Sequence, residues 1–217
     1  ELSDATEREQ IDAQGPLLPE AASDEDSWIR QEFKIEALRD TRLPASAQPV
    51  RWRPETEAPV ADENGEVVVV PDGIRRDQRY AVWSYAPRPN PSELNTFRGD
   101  YPDAAARYLE VVYQPLPEWG AEGRDTLMDV YFGSSGEFEV TALETVYQAA
   151  LEVTSGAQSP YEAAALLEIW FREAGGFVYD EQPPSPIGGT PALVDFVTET
   201  RRGYCQHYAG AMALMLR

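Results

Sequence analysis

The spacing of apolar residues changes once along this chain, from a period of two to a helical period, and this change constrains the fold most strongly. Residues 33–37 alternate between apolar and polar side chains, as half-buried strands do. The strand pattern returns over Arg79–Tyr85, with Ala81, Trp83 and Tyr85 on one side and Tyr80 and Val82 on the other. Beyond residue 100 apolar residues recur at spacings of three and four, as on one face of a helix. A breaker cluster separates the two patterns: Pro87, Pro89, Asn90 and Pro91.

This order of patterns predicts an α+β fold with the strands first. Residues 1–27 are acidic and polar and are predicted to form a mobile arm, followed by a β-rich domain over residues 28–100. The short strands, with a hairpin turn at Asn64-Gly65, favour a small β-sandwich or barrel. Residues 101–133 are predicted to connect this domain to a helical part over residues 134–217.

Helix start and stop signals divide the second part of the chain. A short helix is predicted after Tyr101, and a proline-bent connection follows it. Further helix starts are indicated by Ser134 with Glu137, by Ser159 with Pro160 and Glu162, and by Thr190 with Pro191. The corresponding helix ends are predicted at Gly175-Gly176 and at Gly203.

Composition excludes several classes of function. The net charge is −20, so the surface repels nucleic acid and anionic membrane faces. With 1 cysteine and 1 histidine the chain forms no internal disulfide and lacks the ligands of a usual zinc site, and we expect no metal and no cofactor. The longest apolar stretch, residues 209–216, is too short to span a bilayer. The chain begins at Glu1 and is expected to belong to a longer protein.

Residues 200–217 carry the candidate chemistry. A helix of small residues is predicted to begin close to Cys205, the one cysteine of the sequence. The partial positive charge and free amides of a helix N-terminus favour a thiolate, and the same amides can donate to an oxyanion. A single cysteine beside aromatic residues is also compatible with a small buried apolar side chain.

The same residues resemble the nucleophile motif of the transglutaminase-like superfamily. The similarity lies in Arg202-Gly203-Tyr204-Cys205, then Tyr208-Ala209 and a small-residue helix ending in Leu216-Arg217. Phe177-Val178-Tyr179-Asp180, Pro183-Pro184 and Asp195-Phe196 resemble the lead-in of bacterial members, which are membrane-anchored and carry this segment on the extracytoplasmic side. The resemblance is strong over residues 175–217 and weaker upstream.

The resemblance implies a papain-like Cys-His-Asp arrangement in which Cys205 is the nucleophile. The histidine and aspartate would come from a later β-sheet, beyond Arg217, so we expect this chain to be an incomplete and inactive part of the domain. The implied reaction is attack on a carboxamide or peptide carbonyl of a protein or peptide, as in an acyltransferase or cysteine protease. The apolar surface of residues 209–216 is expected to be covered by a dimer partner or a crystal contact.

The remaining candidate residues have simpler interpretations beside the functional ones. His207 lies two positions after Cys205, on a different side of a helix, and is a poor base for it. Tyr179, Tyr204 and His207 are taken as substrate-pocket or motif-supporting residues, although aromatic residues at such spacings are usually core. Trp170 has the same two interpretations. Asp195 could orient another group but is explained as an acid early in a helix, where the dipole favours it. Arg201 and Arg202 could bind a carboxylate but are explained as last-turn cations of the helix that ends at Gly203.

A second class of function stays open. In this class the transglutaminase-like part is only a non-catalytic scaffold, and the β-rich domain binds a partner or packs on the membrane-proximal region. A histidine and an aspartate at sheet positions downstream of Arg217 would favour the enzyme.

Overall fold

The computed structural model describes residues 9–10, 18–46, 48–54, 60–61, 68–69, 73–98, 101, 103–111, 114–134, 138–186 and 188–217. Residue contacts divide the chain into two compact units, Glu1–Arg88 and Pro89–Arg217. The division falls inside the predicted breaker cluster, where proline residues lack the backbone N–H that would continue a strand ladder or a helix.

The first unit is built from antiparallel strands. Its strands are β1 (Glu9–Gln10), β2 (Trp28–Lys34), β3 (Arg42–Leu43), β4 (Pro49–Pro54), β5 (Val60–Ala61), β6 (Val68–Val69) and β7 (Arg79–Tyr85). One sheet has the order β1-β4-β7-β2 and a smaller one the order β3-β6-β5. Strands β2 and β7 pair without interruption from Trp28 opposite Tyr85 to Lys34 opposite Arg79.

The core of the first unit lies between residues of both sheets. Trp52 and Tyr80 are buried and stack with ring centroids 4.5 Å apart, and Leu43 of the smaller sheet packs into the same cluster. The Tyr80 hydroxyl donates to the Pro44 carbonyl at 2.7 Å, which satisfies a polar group that would otherwise be costly to bury. In β7, consecutive residues Tyr80, Ala81 and Val82 are buried, so this central strand is covered on both faces.

Two sequence predictions of this unit fall partly outside the described residues. The Asn64-Gly65 turn lies there, although β5 and β6 on either side pair antiparallel, with Val60 opposite Val69. In the region predicted to be a mobile arm, Glu20–Ser23 and Glu25–Ser27 form 3-10 turns. The indole of Trp28 donates to the Ala22 carbonyl at 2.8 Å. The mobility of residues 1–27 stays a prediction.

The second unit is mainly helical. Its elements are α1 (Pro91–Leu94), a 3-10 helix (Asp103–Leu109), β8 (Glu110–Val111), β9 (Gln114–Pro115), α2 (Arg124–Ser134), α3 (Phe138–Thr154), α4 (Pro160–Ile169), a π-helical turn (Trp170–Ala174), β10 (Val178–Tyr179), α5 (Ala192–Asp195), a second π-helical turn (Phe196–Thr200), β11 (Arg202–Gly203) and α6 (Cys205–Met215). Strands β10 and β11 pair in parallel.

The predicted start of α4 is confirmed. The Ser159 hydroxyl accepts the Glu162 N–H at 3.1 Å, and Pro160 occupies the first turn. The returning Glu162 carboxylate accepts the N–H of Gln158 at 2.7 Å, one residue earlier than a capping box requires. The helical backbone ends at Gly175-Gly176 as predicted, with Gly176 at φ 71°.

Other helix boundaries differ from the predictions. Helix α2 lies in the segment predicted to be a connection. The sequence pattern does not indicate this helix, because its apolar residues include the exposed Leu127 and Val130 and mark no single buried face. The capping pair Ser134 and Glu137 falls partly outside the described residues.

A single apolar cluster joins the helices that surround the last helix. It contains Val146 of α3, Leu167 of α4 and Phe171 and Phe196 of the two π-helical turns, with Val194, Val197, Ala211 and Met215. Within α6 Ala211 and Met215 are therefore buried, whereas Leu216 just beyond it is exposed. The order of an antiparallel sheet followed by packed helices confirms the predicted α+β class. Among the described residues no helix is both long and apolar enough to cross a membrane.

Candidate active site around Cys205

Helix α6 begins at Cys205. Tyr204, which precedes it, keeps the extended backbone of a helix cap, with φ −114° and ψ −175°. The Tyr204 carbonyl accepts the N–H groups of His207 at 2.8 Å and Tyr208 at 3.3 Å, closing the first turn. The earlier N–H groups, of Cys205 and Gln206, have no intrahelical acceptor. The thiol of Cys205 is exposed at this same end of the helix.

Because Gly203 has no side chain, the backbone can pass close to His207 and Phe196 just before α6 begins. A Cβ atom at this position would lie 2.8 Å from Cβ and Cγ of His207 and 2.9 Å from Cε2 of Phe196. Such distances are shorter than carbon atoms tolerate, so a side chain here would displace one of these two rings. The glycine of the Arg-Gly-Tyr-Cys run is therefore required by packing.

Replacing Gly203 by alanine is expected to lower the free energy of unfolding of the second unit by about 1–3 kcal/mol, because the added methyl group overpacks the core. Urea unfolding measures this change. Gly156→Ala is the matched control, since an added Cβ there meets nothing within 4 Å. Equal stability of the two variants would contradict the packing argument.

Aromatic rings surround the first turn of α6. The Phe196 ring lies 5.0 Å from that of Phe177, 5.1 Å from that of Tyr208 and 5.5 Å from that of His207, centroid to centroid. Tyr208 also stacks with Tyr179 at 6.3 Å. Partial burial raises the pKa of the Tyr208 hydroxyl above its ordinary value of 10.0. Phe196 and Tyr208 thus hold the start of α6 against the preceding chain.

His207 is held inside this cluster by its own helix start. Its Nδ1 accepts the backbone N–H of Tyr204 at 3.4 Å, and its ring lies edge-on to the Tyr204 ring at 4.6 Å. An Nδ1 that accepts a hydrogen bond is engaged in closing the helix N-terminus. This geometry gives His207 a local partner other than the thiol.

The structure differs from the sequence prediction at Arg201, because the predicted helix ends at Gly203 with Arg201 as a charge in its last turn. The helical backbone ends at Arg201 itself, in the left-handed region with φ 49° and ψ 23°. The guanidinium donates to the Gly175 carbonyl at 2.6 Å and lies 5.8 Å and 5.7 Å from the ring centroids of Trp170 and Phe177. These contacts offset the roughly 1–2 kcal/mol that this backbone conformation costs a side-chain-bearing residue.

Arg202 was also predicted to be a helix-end charge. In the structure it forms an ion pair with Asp180, which directly follows β10. Its Nε and Nη2 donate to Oδ2 of Asp180 at 3.1 Å and 2.8 Å. The other carboxylate oxygen accepts the N–H of Gln182 at 2.9 Å. The Gln182 N–H and then Arg202 hold the pKa of Asp180 below its ordinary value of 3.8.

We expect the titration of Asp180, followed by NMR through the Gln182 amide, to have its midpoint below pH 3.8. Because the folded-state pKa is lowered, Asp180 stabilises the fold above the unfolded-state pKa, and this contribution is lost as the pH falls through the folded-state pKa. Arg202→Ala should move the midpoint upward, whereas Arg172→Ala, whose partner is Glu168, should not. An unchanged midpoint in Arg202→Ala would exclude the guanidinium as a cause.

The structure brings Tyr179, Tyr204 and His207 to the region of Cys205, through β10, the helix cap and the first turn of α6. Trp170 packs behind them against Phe177, with ring centroids 4.7 Å apart. Asp195, which the sequence indicates as an acid early in a helix, is buried and is the last residue of the short α5. The described residues contain no group of His, Cys, Asp and Glu that is suited to a metal ion.

Sequence reasoning missed the packing roles of Tyr208 and Arg201. Tyr208 follows Cys205 at i+3, the spacing of neighbours on a helix surface, and this spacing was available in the sequence. The left-handed backbone of Arg201 had no local signal, because glycine or asparagine usually occupies such positions.

Residues 147–217 match the sequence model of the Transglutaminase-like superfamily. This part of the chain, which contains Cys205 and its surrounding rings, is therefore a transglutaminase-like superfamily segment. The finding confirms the resemblance that the Arg-Gly-Tyr-Cys motif indicated.

A curated protein from Pseudomonas aeruginosa, named Protein-glutamine gamma-glutamyltransferase, is 44% identical over 61 residues. The alignment covers 28% of this chain and 8% of that protein. Two crystal structures of the periplasmic domain of TgpA from Pseudomonas aeruginosa are also similar. The one bound to ethylmercury has a TM-score of 0.48 at 18% identity, covering 87% of this chain and 54% of that chain. The other has a TM-score of 0.40 at 16% identity, covering 99% and 77%.

Proposed function

We propose that this chain carries the nucleophile of an acyl-transfer enzyme, with Cys205 attacking the side-chain carboxamide of glutamine in a protein or peptide. One observation carries the proposal: Cys205 is exposed as the first residue of α6, inside the segment that matches the transglutaminase-like superfamily. The name of the similar Pseudomonas aeruginosa protein supports glutamine as the substrate side chain.

The position of Cys205 suits this chemistry electrostatically. The aligned peptide dipoles of an 11-residue helix place about half a positive charge at its N-terminus. This field stabilises negative charge that develops at the start of the helix during the reaction. The N–H groups of Cys205 and Gln206, which lack intrahelical acceptors, are available to donate to the oxyanion that forms on the carbonyl.

The proposed reaction has two steps. The thiolate sulfur of Cys205 bonds to the carboxamide carbon, the carbon–nitrogen bond breaks, and the nitrogen leaves with an added proton as ammonia. The nitrogen of a primary amine then bonds to the thioester carbon and gives up one proton to a base, the carbon–sulfur bond breaks, and the thiolate returns. Water in place of the amine gives glutamate, so amine transfer and hydrolysis share the first step.

Both steps need a base that takes and returns protons. His207 is the one histidine in the sequence, and its Nδ1 is turned to the Tyr204 N–H at 3.4 Å. We therefore place the base outside these residues, as the resemblance implies, and expect this chain by itself to form no product. We also propose that the parent protein is anchored in the membrane and carries this segment on the extracytoplasmic side.

The test uses the full-length protein with a glutamine peptide and a fluorescent primary amine. We expect an acyl adduct on Cys205 by mass spectrometry, release of ammonia and incorporation of the amine. Ammonia without amine incorporation would indicate hydrolysis, and cleavage of the peptide backbone would indicate a protease. A full-length protein that forms no adduct on a reactive Cys205 would favour the non-catalytic scaffold.

A further inference from the structure

Strand β10 has one paired edge and one open edge. On the paired edge the Val178 N–H donates to the Arg201 carbonyl and the Asp180 N–H to the Gly203 carbonyl, both at 2.8 Å. Backbone groups of successive strand residues point to opposite edges, so the N–H and C=O of Tyr179, between these two, face away from β11. Among the described residues β10 pairs with β11 and with no other strand.

The open edge is accessible and apolar. Val178 and Tyr179 are 55% and 59% exposed, although both belong to residue types that favour strands. An exposed strand edge with free backbone groups is a template for pairing with another chain. The edge therefore has both the hydrogen-bonding groups and the apolar surface that an extended peptide requires.

This edge also lies next to the thiol. Tyr179 is paired with Gly203, shortly before Cys205 in the chain. The Tyr179 ring stacks on Tyr208 with an interplanar angle of 21°, and Tyr208 is the neighbour of Cys205 at i+3 on the surface of α6. Two independent contacts, one through the backbone and one through the ring, thus place β10 beside the start of α6.

We propose that β10 is the docking edge for the acyl-donor protein, which binds as an extended strand and pairs one of its residues with Tyr179. This inference rests on the proposed function and specifies its substrate class: a glutamine within an extended, accessible segment, flanked by apolar residues that cover Val178 and Tyr179. Main-chain hydrogen bonds give such strand addition its affinity, and flanking side chains give it specificity. A glutamine within a helix would lack free backbone groups for this pairing.

The experiment measures docking without requiring turnover. Peptides carry a chloroacetamide on the side chain at the glutamine position, so the Cys205 sulfur displaces chloride and forms a thioether. The labelling rate of this chain is measured against peptide concentration, with free chloroacetamide as the reference for thiol reactivity. Each backbone amide of the peptide is then replaced in turn by an ester, which removes one N–H donor.

We expect saturable labelling, with a half-saturating concentration that rises about threefold to tenfold for the ester at one peptide position and little at the others. Labelling no faster than with free chloroacetamide, or equal half-saturating concentrations for all esters, would overturn the docking edge. The proposed function has its own test: it is wrong if the full-length protein forms no thioester with a glutamine peptide, whatever the labelling experiment shows.

Two substitutions test the protein side of the same pair. Tyr179→Pro and Tyr179→Ala both remove the ring, but only proline removes the outward N–H, and proline is tolerated where a strand N–H faces solvent. Tyr179→Pro should raise the half-saturating concentration a further threefold to tenfold above that of Tyr179→Ala. Equal values for two variants of equal stability would overturn the pairing. If Tyr179→Pro unfolds, the ester series measured on the unsubstituted protein tests the backbone pairing instead.

Discussion

Full-length protein carrying Cys205→Ser is expected to lose acyl transfer by on the order of a thousandfold or more, because removal of the attacking group leaves only substrate binding and oxyanion donors. Serine keeps the size of the side chain, but its hydroxyl ionises far less readily than a thiol. The rate of amine incorporation into a glutamine peptide measures the loss.

The fold should be unaffected by this change. The Cys205 side chain is exposed, so the free energy of unfolding is expected to stay within about 0.5 kcal/mol of the unchanged protein. Ala213→Ser, at an exposed position on the same helix, is the matched control and should keep full activity. Turnover that survives in Cys205→Ser would show that another group performs the attack.

Phe196→Ala is expected to have the largest effect on stability near the site, lowering the free energy of unfolding of the second unit by about 3–5 kcal/mol. The Phe196 side chain is 1% exposed and lies among the rings of Phe177, Tyr208 and His207. Its removal leaves a cavity that these rings fill only in part. Urea unfolding followed by tryptophan fluorescence measures the change.

Phe97→Ala is the control for Phe196→Ala. Phe97 is 37% exposed and its ring has an edge-on contact with Tyr101, so its loss should cost about 1 kcal/mol or less. A double-mutant cycle with Gly203→Ala extends the test. A Cβ at Gly203 would lie 2.9 Å from Phe196, so Gly203→Ala should cost less when Phe196 is already alanine. Additive effects would contradict the tight contact.

The identity of the reactive residue was accessible to sequence reasoning because its signals are local. Small residues after Cys205 and the Arg-Gly-Tyr run before it occupy consecutive positions, and they indicated both the helix start and the family. The start of α4 was predictable for the same reason, since the Ser159 cap acts on the next turn of its own helix.

The surroundings of the site were not predictable in this way. The partners of Arg201, the Gly175 carbonyl and the rings of Trp170 and Phe177, come from a segment about two dozen residues earlier in the chain. Contacts at such separation leave no periodic pattern in a sequence. Helix α2 was missed because its apolar residues are divided between buried Met128 and exposed Leu127 and Val130.

The sequence by itself therefore determined the order of sheet and helices, the helix that begins at Cys205 and the family of its segment. These properties depend on residue spacing and on hydrogen bonds within one turn or one strand. The tertiary structure alone decided that Gly203 has no room for a side chain and that the N–H and C=O of Tyr179 face away from β11. Each of these depends on where β10, β11 and α6 meet, and packing between distant segments sets that meeting point.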